Sequence, residues 1–300
     1  MAKDNLKQNE AKEEHYIRRK KQKRIKKIKS LILSALLLLS VTIVCYGSSM
    51  YLGIFYKNAI SDALTDSEYF YSIPEKVVDK ACEYGSEYGI LREVFSGTNG
   101  YDEIITKGKA YNDGIAIVNA KLSKDTYEID ISDMKYEIIG NLEQYVEKTG
   151  TQISDEEKEE LADEITEYYK ESLVLPYMEQ YVHVRSIINR ILIVTVPFAT
   201  ILAFIFLILQ FKIHRTKVGA LKYIAYSASG AVITSLIIPT VMMFVDILDK
   251  FNVDDEYLYK AGNTLLNRAF SVCIIFGVGC LVVYVAILVY IFRKQSVSSK

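Results

Sequence analysis

Four stretches of this chain carry no charged side chain: residues 30–56, 191–211, 223–245 and 269–292. A helix rises about 1.5 Å per residue, so roughly 20 apolar residues cross a hydrocarbon core of about 30 Å. All four runs are long enough. A helix of a water-soluble domain normally buries one stripe and leaves the other faces charged, which these runs do not do. The pattern predicts an all-α membrane protein: four transmembrane helices, with a mostly helical extracytoplasmic domain between the first and second spans.

Charge supplies an orientation. Lys and Arg collect on the cytoplasmic side of a membrane protein. Residues 1–30, 212–222 and 293–300 together hold 19 basic and 4 acidic residues, net +15. Residues 57–190 hold 14 basic and 28 acidic, and 246–268 hold 3 and 5, for a combined net of −16. The formal charge of −1 is therefore the sum of two large opposite terms. Both termini are expected in the cytoplasm, in a multi-pass cell-membrane protein. The chain divides into a basic segment 1–29, spans at 30–56, 189–211, 223–246 and 269–292, a domain at 57–188, connections at 212–222 and 247–268, and a tail at 293–300. A cleaved signal peptide would have a shorter apolar run followed by an A-x-A site, so the first span is read as an anchor.

The basic segment is concentrated in Arg18, Arg19, Lys20, Lys21, Lys23, Arg24, Lys26, Lys27 and Lys29. Without interleaved aromatics or a nucleic-acid motif, this is a topogenic cluster that sits on anionic lipid headgroups, at about 1 kcal/mol per cation near the surface. Membrane lipids are the expected partner there, and nucleic acid is not.

Residues 57–188 suffice for a domain with its own core. Ser72-Ile73-Pro74-Glu75 and Ser154-Asp155-Glu156-Glu157 read as capping boxes. Ile104, Ile105, Ile115 and Val118 suggest a helix weakened by Gly108 and Gly114. Ile138, Ile139, Leu142, Tyr145 and Val146 form the apolar face of another, closed by Gly150. The alternation in Tyr127-Glu128-Ile129-Asp130-Ile131 suggests a short strand. After Pro176 one helix is expected to run from Met178 into the second span. The acids from Asp155 to Glu167 lack the Asp-x-Asp-x-Asp-Gly order of a calcium loop and read as a solvated face. Fourteen of the 23 tyrosines fall between residues 56 and 190, where they offer apolar area with one polar handle to a core or to a protein partner.

The chemical inventory argues against catalysis. His15, His183 and His214 are far apart and lack metal spacing, and no H-E-x-x-H, G-x-S-x-G, Walker A or C-x-x-C motif occurs. No catalytic residue, cofactor site or metal site is assigned. The spans carry no ionisable acid or base of the kind coupled transporters use. They do carry a small-residue face, Ser227, Ala231 and Ser235, that allows close helix packing, with Pro239 as a kink. Gly277 and Gly279 make a similar flat patch. Cys82 is the single cysteine outside the spans, no N-x-[ST] acceptor occurs, and Lys outnumbers Arg 27 to 9, which together point to a bacterial source.

The layout of a basic start, one span, a domain of about 130 residues and three further spans resembles the FtsX-type permeases of ABC systems. In wording, Ser72-Ile73-Pro74-Glu75-Lys76-Val77-Val78-Asp79, the segment from Ile153 to Leu161 and Leu175-Pro176-Tyr177 resemble four-span membrane proteins of Firmicutes-type bacteria. That group implies no particular activity and carries over no site residues. The expected function is a non-enzymatic integral membrane protein whose acidic domain binds a protein partner or ligand, with relay to the spans. The alternatives are the membrane subunit of an ABC-type or other transport complex, and a homo-oligomeric channel.

Overall fold

The computed structural model describes residues 2–214, 216–245 and 255–298, without the side chains of 2–15, 19, 297 and 298. Asp246 and Asp249, expected at the end of the third span, lie outside the described residues. Every named element is helical: α1 (Ala2–Met50), α2 (Ala59–Asp66), α3 (Ile73–Gly85), α4 (Glu93–Ser96), α5 (Lys107–Ser123), α6 (Ser132–Thr149), α7 (Asp155–Leu173), α8 (Met178–Ile213), α9 (Lys217–Val232), α10 (Ile238–Phe244) and α11 (Glu256–Ser298). Four helical stretches are long and apolar enough to cross a membrane, lying in α1, in α8, along α9 to α10, and in α11.

The described residues form two units. One holds the long helices, from residues 1–54, 189–247 and 267–300. The other, the inserted unit, combines Phe55–Ile188 with the described part of Leu248–Leu266.

In the long-helix unit, apolar side chains point outward in bulk. Ile193, Val194, Phe198, Ile275 and Val282 are each more than half exposed. A surface of that kind needs apolar surroundings. Contacts between the helices are close and polar. Ser34 on α1 and Ser227 on α9 lie hydroxyl to hydroxyl at 2.8 Å, and each hydroxyl also reaches the backbone of the other helix: Ser227 Oγ to the Ser34 carbonyl and Ser34 Oγ to the Tyr223 carbonyl, both at 2.8 Å. Gly53 allows α11 to come so near that a Cβ there would stand 2.4 Å from Cα of Ala269.

Between α9 and α10 the chain widens into one π-helical turn, Ile233–Ile237. Pro239 explains it. Proline has no N–H and crowds the carbonyl four residues before it, so the preceding turn must open. The Ile238 N–H then bonds Ile233 rather than Thr234. The Thr234 carbonyl freed in this way accepts from Tyr46 Oη at 2.7 Å. The expected kink is thus a π-bulge with its orphaned carbonyl satisfied from α1.

The inserted unit packs α2 to α7 and the N-terminal part of α11 around one core that includes Phe70, Ile73, Val77, Phe95, Met134, Ile138, Leu142, Ile165 and Tyr169. The capping box at Ser154 is present: its hydroxyl accepts from Glu157 N, and the Glu157 carboxylate accepts from Ser154 N at 2.7 Å. Gly150 ends α6 in the left-handed region, with φ +72°. Asn141 on α6 fixes the chain between α4 and α5. It donates to the carbonyls of Val94 and Asp102 and accepts from Asp102 N.

Three expectations need correction. Ser72 forms no capping box, because a 3₁₀ turn at Phe70–Ser72 already holds it in helical backbone and its hydroxyl donates to Tyr69 O instead. Residues 127–131 form no strand, since no strand lies beside them among the described residues, and the Tyr127 hydroxyl donates to Asp113 instead. The 247–268 connection is helical from Glu256, and Ala261 belongs to the core of the inserted unit. α8 runs unbroken from Met178 as expected, after a turn in which Tyr177 takes φ +62°.

Candidate functional site: an acidic groove on the inserted unit

The end of α3 and the start of α7 face each other across a groove of about 490 Å³. One wall comes from Glu83 and Tyr84 at the end of α3 and Glu87 and Tyr88 in the 3₁₀ turn that follows. Gly85 keeps these pairs together, because its bare Cα packs on Phe95 and Ile90. Gly89 ends the turn at φ +70°. The opposite wall is the first half of α7, with Glu157, Glu160 and Glu164.

These carboxylates are not equivalent. Glu83 is bonded by Lys80 Nζ at 2.6 Å, and Glu157 is committed to the capping box. Glu87, Glu160 and Glu164 have no ion-pair partner among the described residues. Other acids of α7 are paired, Asp155 with Lys158 and Asp163 with Lys135. Glu156, Glu159 and Glu171 of α7 also lack an ion-pair partner among the described residues; what sets Glu87, Glu160 and Glu164 apart is that their charge gathers along one groove. Tyr88 registers it: burial, and then Glu157, Glu160, Glu87 and Glu164, push its phenol above the ordinary value. Lys80 Nζ already stands 4.9 Å from the centre of the Tyr84 ring, so the Tyr88 ring and the three carboxylates are what the groove offers a further cationic group.

A second polar cluster is closed. Asp113 on α5 is buried and accepts from Tyr169 Oη at 2.7 Å and Tyr127 Oη at 3.0 Å, with Lys109 Nζ 3.6 Å away. Burial and the bond to Asp113 push the Tyr169 phenol upward. All groups in this cluster have partners, so it serves as a lock between α5 and α7. Among the described residues no group of three or more His, Cys, Asp or Glu side chains is arranged to hold a metal ion.

The residues singled out from sequence are placed as follows. Ser227, Ala231 and Ser235 are all buried, and a Cβ on Gly277 would stand 2.9 Å from the backbone at Ser235 and Leu236. Gly279, by contrast, has nothing within 4 Å. Arg18, Lys20, Lys21, Lys23, Arg24, Lys26, Lys27 and Lys29 are exposed along α1, while the side chain of Arg19 lies outside the described residues. Below them, buried Ser30 shares a 2.7 Å hydrogen bond with His214 Nε2, and its carbonyl accepts from Gln210 Nε2 at 2.8 Å. Burial, reinforced by Lys26, lowers the imidazole from its ordinary 6.5. The α3 wall of the groove was missed in the sequence. Its signal was there: Glu83-Tyr84 and Glu87-Tyr88 repeat four residues apart, one helical turn.

Comparison with protein-family models, curated proteins and solved structures found no match.

Proposed function

We propose that this is a non-enzymatic multi-pass membrane protein, with both termini cytoplasmic, whose extracytoplasmic acidic unit binds a cationic protein partner through the groove between α3 and α7. The observation carrying this reading is the set of three unpaired carboxylates, Glu87, Glu160 and Glu164, beside Tyr84 and Tyr88. The orientation rests on the split of charge between net +15 and net −16. Residues 57–190 carry net −14, which favours basic partners at long range and speeds their approach. Such attraction weakens with salt, as the screening length falls from about 10 Å at 0.1 M to about 3 Å at 1 M.

The test uses the full chain in membranes with a photo-crosslinking residue at Ser86, which lines the groove and is exposed. Glu87→Gln, Glu160→Gln and Glu164→Gln together should abolish recovery of the crosslinked partner. The same three changes at exposed Glu128, Glu143 and Glu147 should preserve it. Equal recovery from both triple variants refutes the groove as the binding element. Recovery of an ATPase regardless of the groove would put the transport-complex reading in its place.

A further inference from the structure

The long-helix unit contains a groove of about 480 Å³ that the packing of its four helices leaves unfilled. That volume is within the roughly 300–1,000 Å³ typical of ligand sites. Its walls come from every span, among them Leu37 and Val41 on α1, Ala228 on α9, and Phe276, Gly279 and Val283 on α11. The one hydroxyl on the wall, Ser227, is engaged with Ser34. The lining therefore asks for a wholly apolar occupant. Gly279 keeps the groove open, since any side chain there would enter space that no atom occupies within 4 Å of its Cβ.

Cations lie beyond one end of the groove on every span. Ile224 on its wall stands two residues from exposed Lys222, and Leu207 five from exposed Lys212. On α1, Leu37 is eight residues from Lys29, and on α11 Val283 is ten from Arg293, or about 12–15 Å at the helical rise. The hydrogen bonds of Ser30 to His214 and Gln210, and of Ser34 to Ser227, put the basic ends of α1, α8 and α9 at one level. Segments 18–30, 212–222 and 293–300 contain no acidic residue to neutralise this rim. Apolar walls leading to a purely cationic rim match one chemistry.

We infer that the groove holds an acyl chain of an anionic phospholipid, with the headgroup phosphate among Lys29, Lys212, Lys217, Lys222 and Arg293. The site rests on the membrane reading of the four spans and is independent of partner binding by the acidic unit. It also differs from headgroup contact by the basic segment alone, because it selects the chain and the phosphate together.

The chain has no tryptophan, so Phe276→Trp installs a single indole on the groove wall. The full chain carrying that change is reconstituted in phosphatidylcholine vesicles with 10 mol% phosphatidylglycerol (about one lipid in ten, enough for a phosphate-selective site of this rim to compete). Brominated acyl chains are placed on the phosphatidylglycerol, or on an equal amount of phosphatidylcholine. Brominated phosphatidylglycerol should quench the indole at least twofold more strongly. Adding Gly279→Leu should remove the excess by filling the groove, and Lys217→Gln with Lys222→Gln should reduce it without changing quenching by phosphatidylcholine. Equal quenching by the two lipids overturns the inference, as does an excess that survives Gly279→Leu. Flotation of the vesicles separates these outcomes from failure of the membrane reading, which would leave the protein unincorporated.

Discussion

Gly114→Ala should destabilise the inserted unit although alanine is the better helix former. In the interior of a helix Ala is favoured over Gly by about 0.8–1.0 kcal/mol. At Gly114, however, an added Cβ would stand 2.2 Å from Cδ1 and 2.3 Å from Cε1 of Phe70. Ordinary carbon contacts are about 3.5–4.0 Å, so the ring must move by more than an ångström. Phe70 is fully buried and packs edge-on against Tyr69, which leaves it little room to move. Overpacking of this kind costs about 1–3 kcal/mol, and the overlap argues for the upper half of that range. Net of propensity, a loss of about 1–2 kcal/mol is expected, or roughly 2–8 °C for a unit of this size.

The matched control is Gly140→Ala on α6, where an added Cβ meets nothing within 4 Å and propensity acts alone. It should stabilise by up to about 1 kcal/mol. Near-ultraviolet circular dichroism of the full chain in detergent follows the transition, because most of the tyrosines report on this unit. In a Phe70→Leu background the Gly114→Ala penalty should shrink, giving a coupling of about 1–2 kcal/mol. Gly114→Ala as stable as Gly140→Ala would refute the packing of Phe70 on α5.

Asp255 caps α11 through Tyr257 N and Leu258 N and accepts from Lys76 Nζ at 2.6 Å. Asp255→Ala should cost about 1–2 kcal/mol and Asp255→Asn under about 1 kcal/mol, since Asn keeps the cap and loses only a partly exposed ion pair. Burial would raise this carboxyl, but Lys76 and the two N–H groups lower it below the ordinary 3.8, so its contribution is present above that value and lost as pH falls through the lowered one. Melting curves should show the gap between wild type and Asp255→Asn steady from pH 8 to 5 and closing below about pH 4. Ala231→Leu should lower the melting temperature in detergent, at a cost of about 1–3 kcal/mol, because Ala231 is 2% exposed. Ile233→Leu, at a position 53% exposed, should not, and equal stability of the two would make this face a lipid-facing one. Cysteines placed at 100 or 160 should be labelled from outside intact cells and those at 217 or 297 spared. Labelling at 217 would reverse the orientation.

What was legible in the sequence was local or unmistakable in length. A run without charge announces a span whatever surrounds it. The Ser154 box and Gly150 act within one turn of their own backbone, so they could be read without knowing the fold. Ser72 shows the limit of that reading. Its Ser-x-x-Glu spacing is right, but the preceding 3₁₀ turn leaves it no extended backbone from which to cap. The groove joins Glu87 to Glu160 and Glu164 from helices more than 70 residues apart in sequence, and no periodicity reports such a meeting. Tyr257, Leu258, Ala261 and Leu265 have helical spacing, but the charges of residues 246–268, set beside an uncharged span, mark the segment as a connection.

The position of the apolar groove follows from where the long helices are fastened. α1, α8 and α9 are tied at their basic ends by side-chain hydrogen bonds through Ser30, Ser34, Gln210, His214 and Ser227. The close approaches of α11 lie elsewhere: Ala269 against Gly53, Cys273 with its sulfur 3.3 Å from that of Cys45, and Gly277 against the π-turn. The π-turn is itself a consequence of Pro239, and its widened backbone is what Gly277 is small enough to meet. Past Gly277, Gly279 faces open space, and α11 is buried again only at Ile291. Three helices are held by uncharged polar groups at one end, while the fourth is held by small residues nearer the other. Helices fastened at different levels diverge between their fastenings, and the gap opens on α11 at Gly279 to Val283, the wall on which the acyl-chain site is proposed.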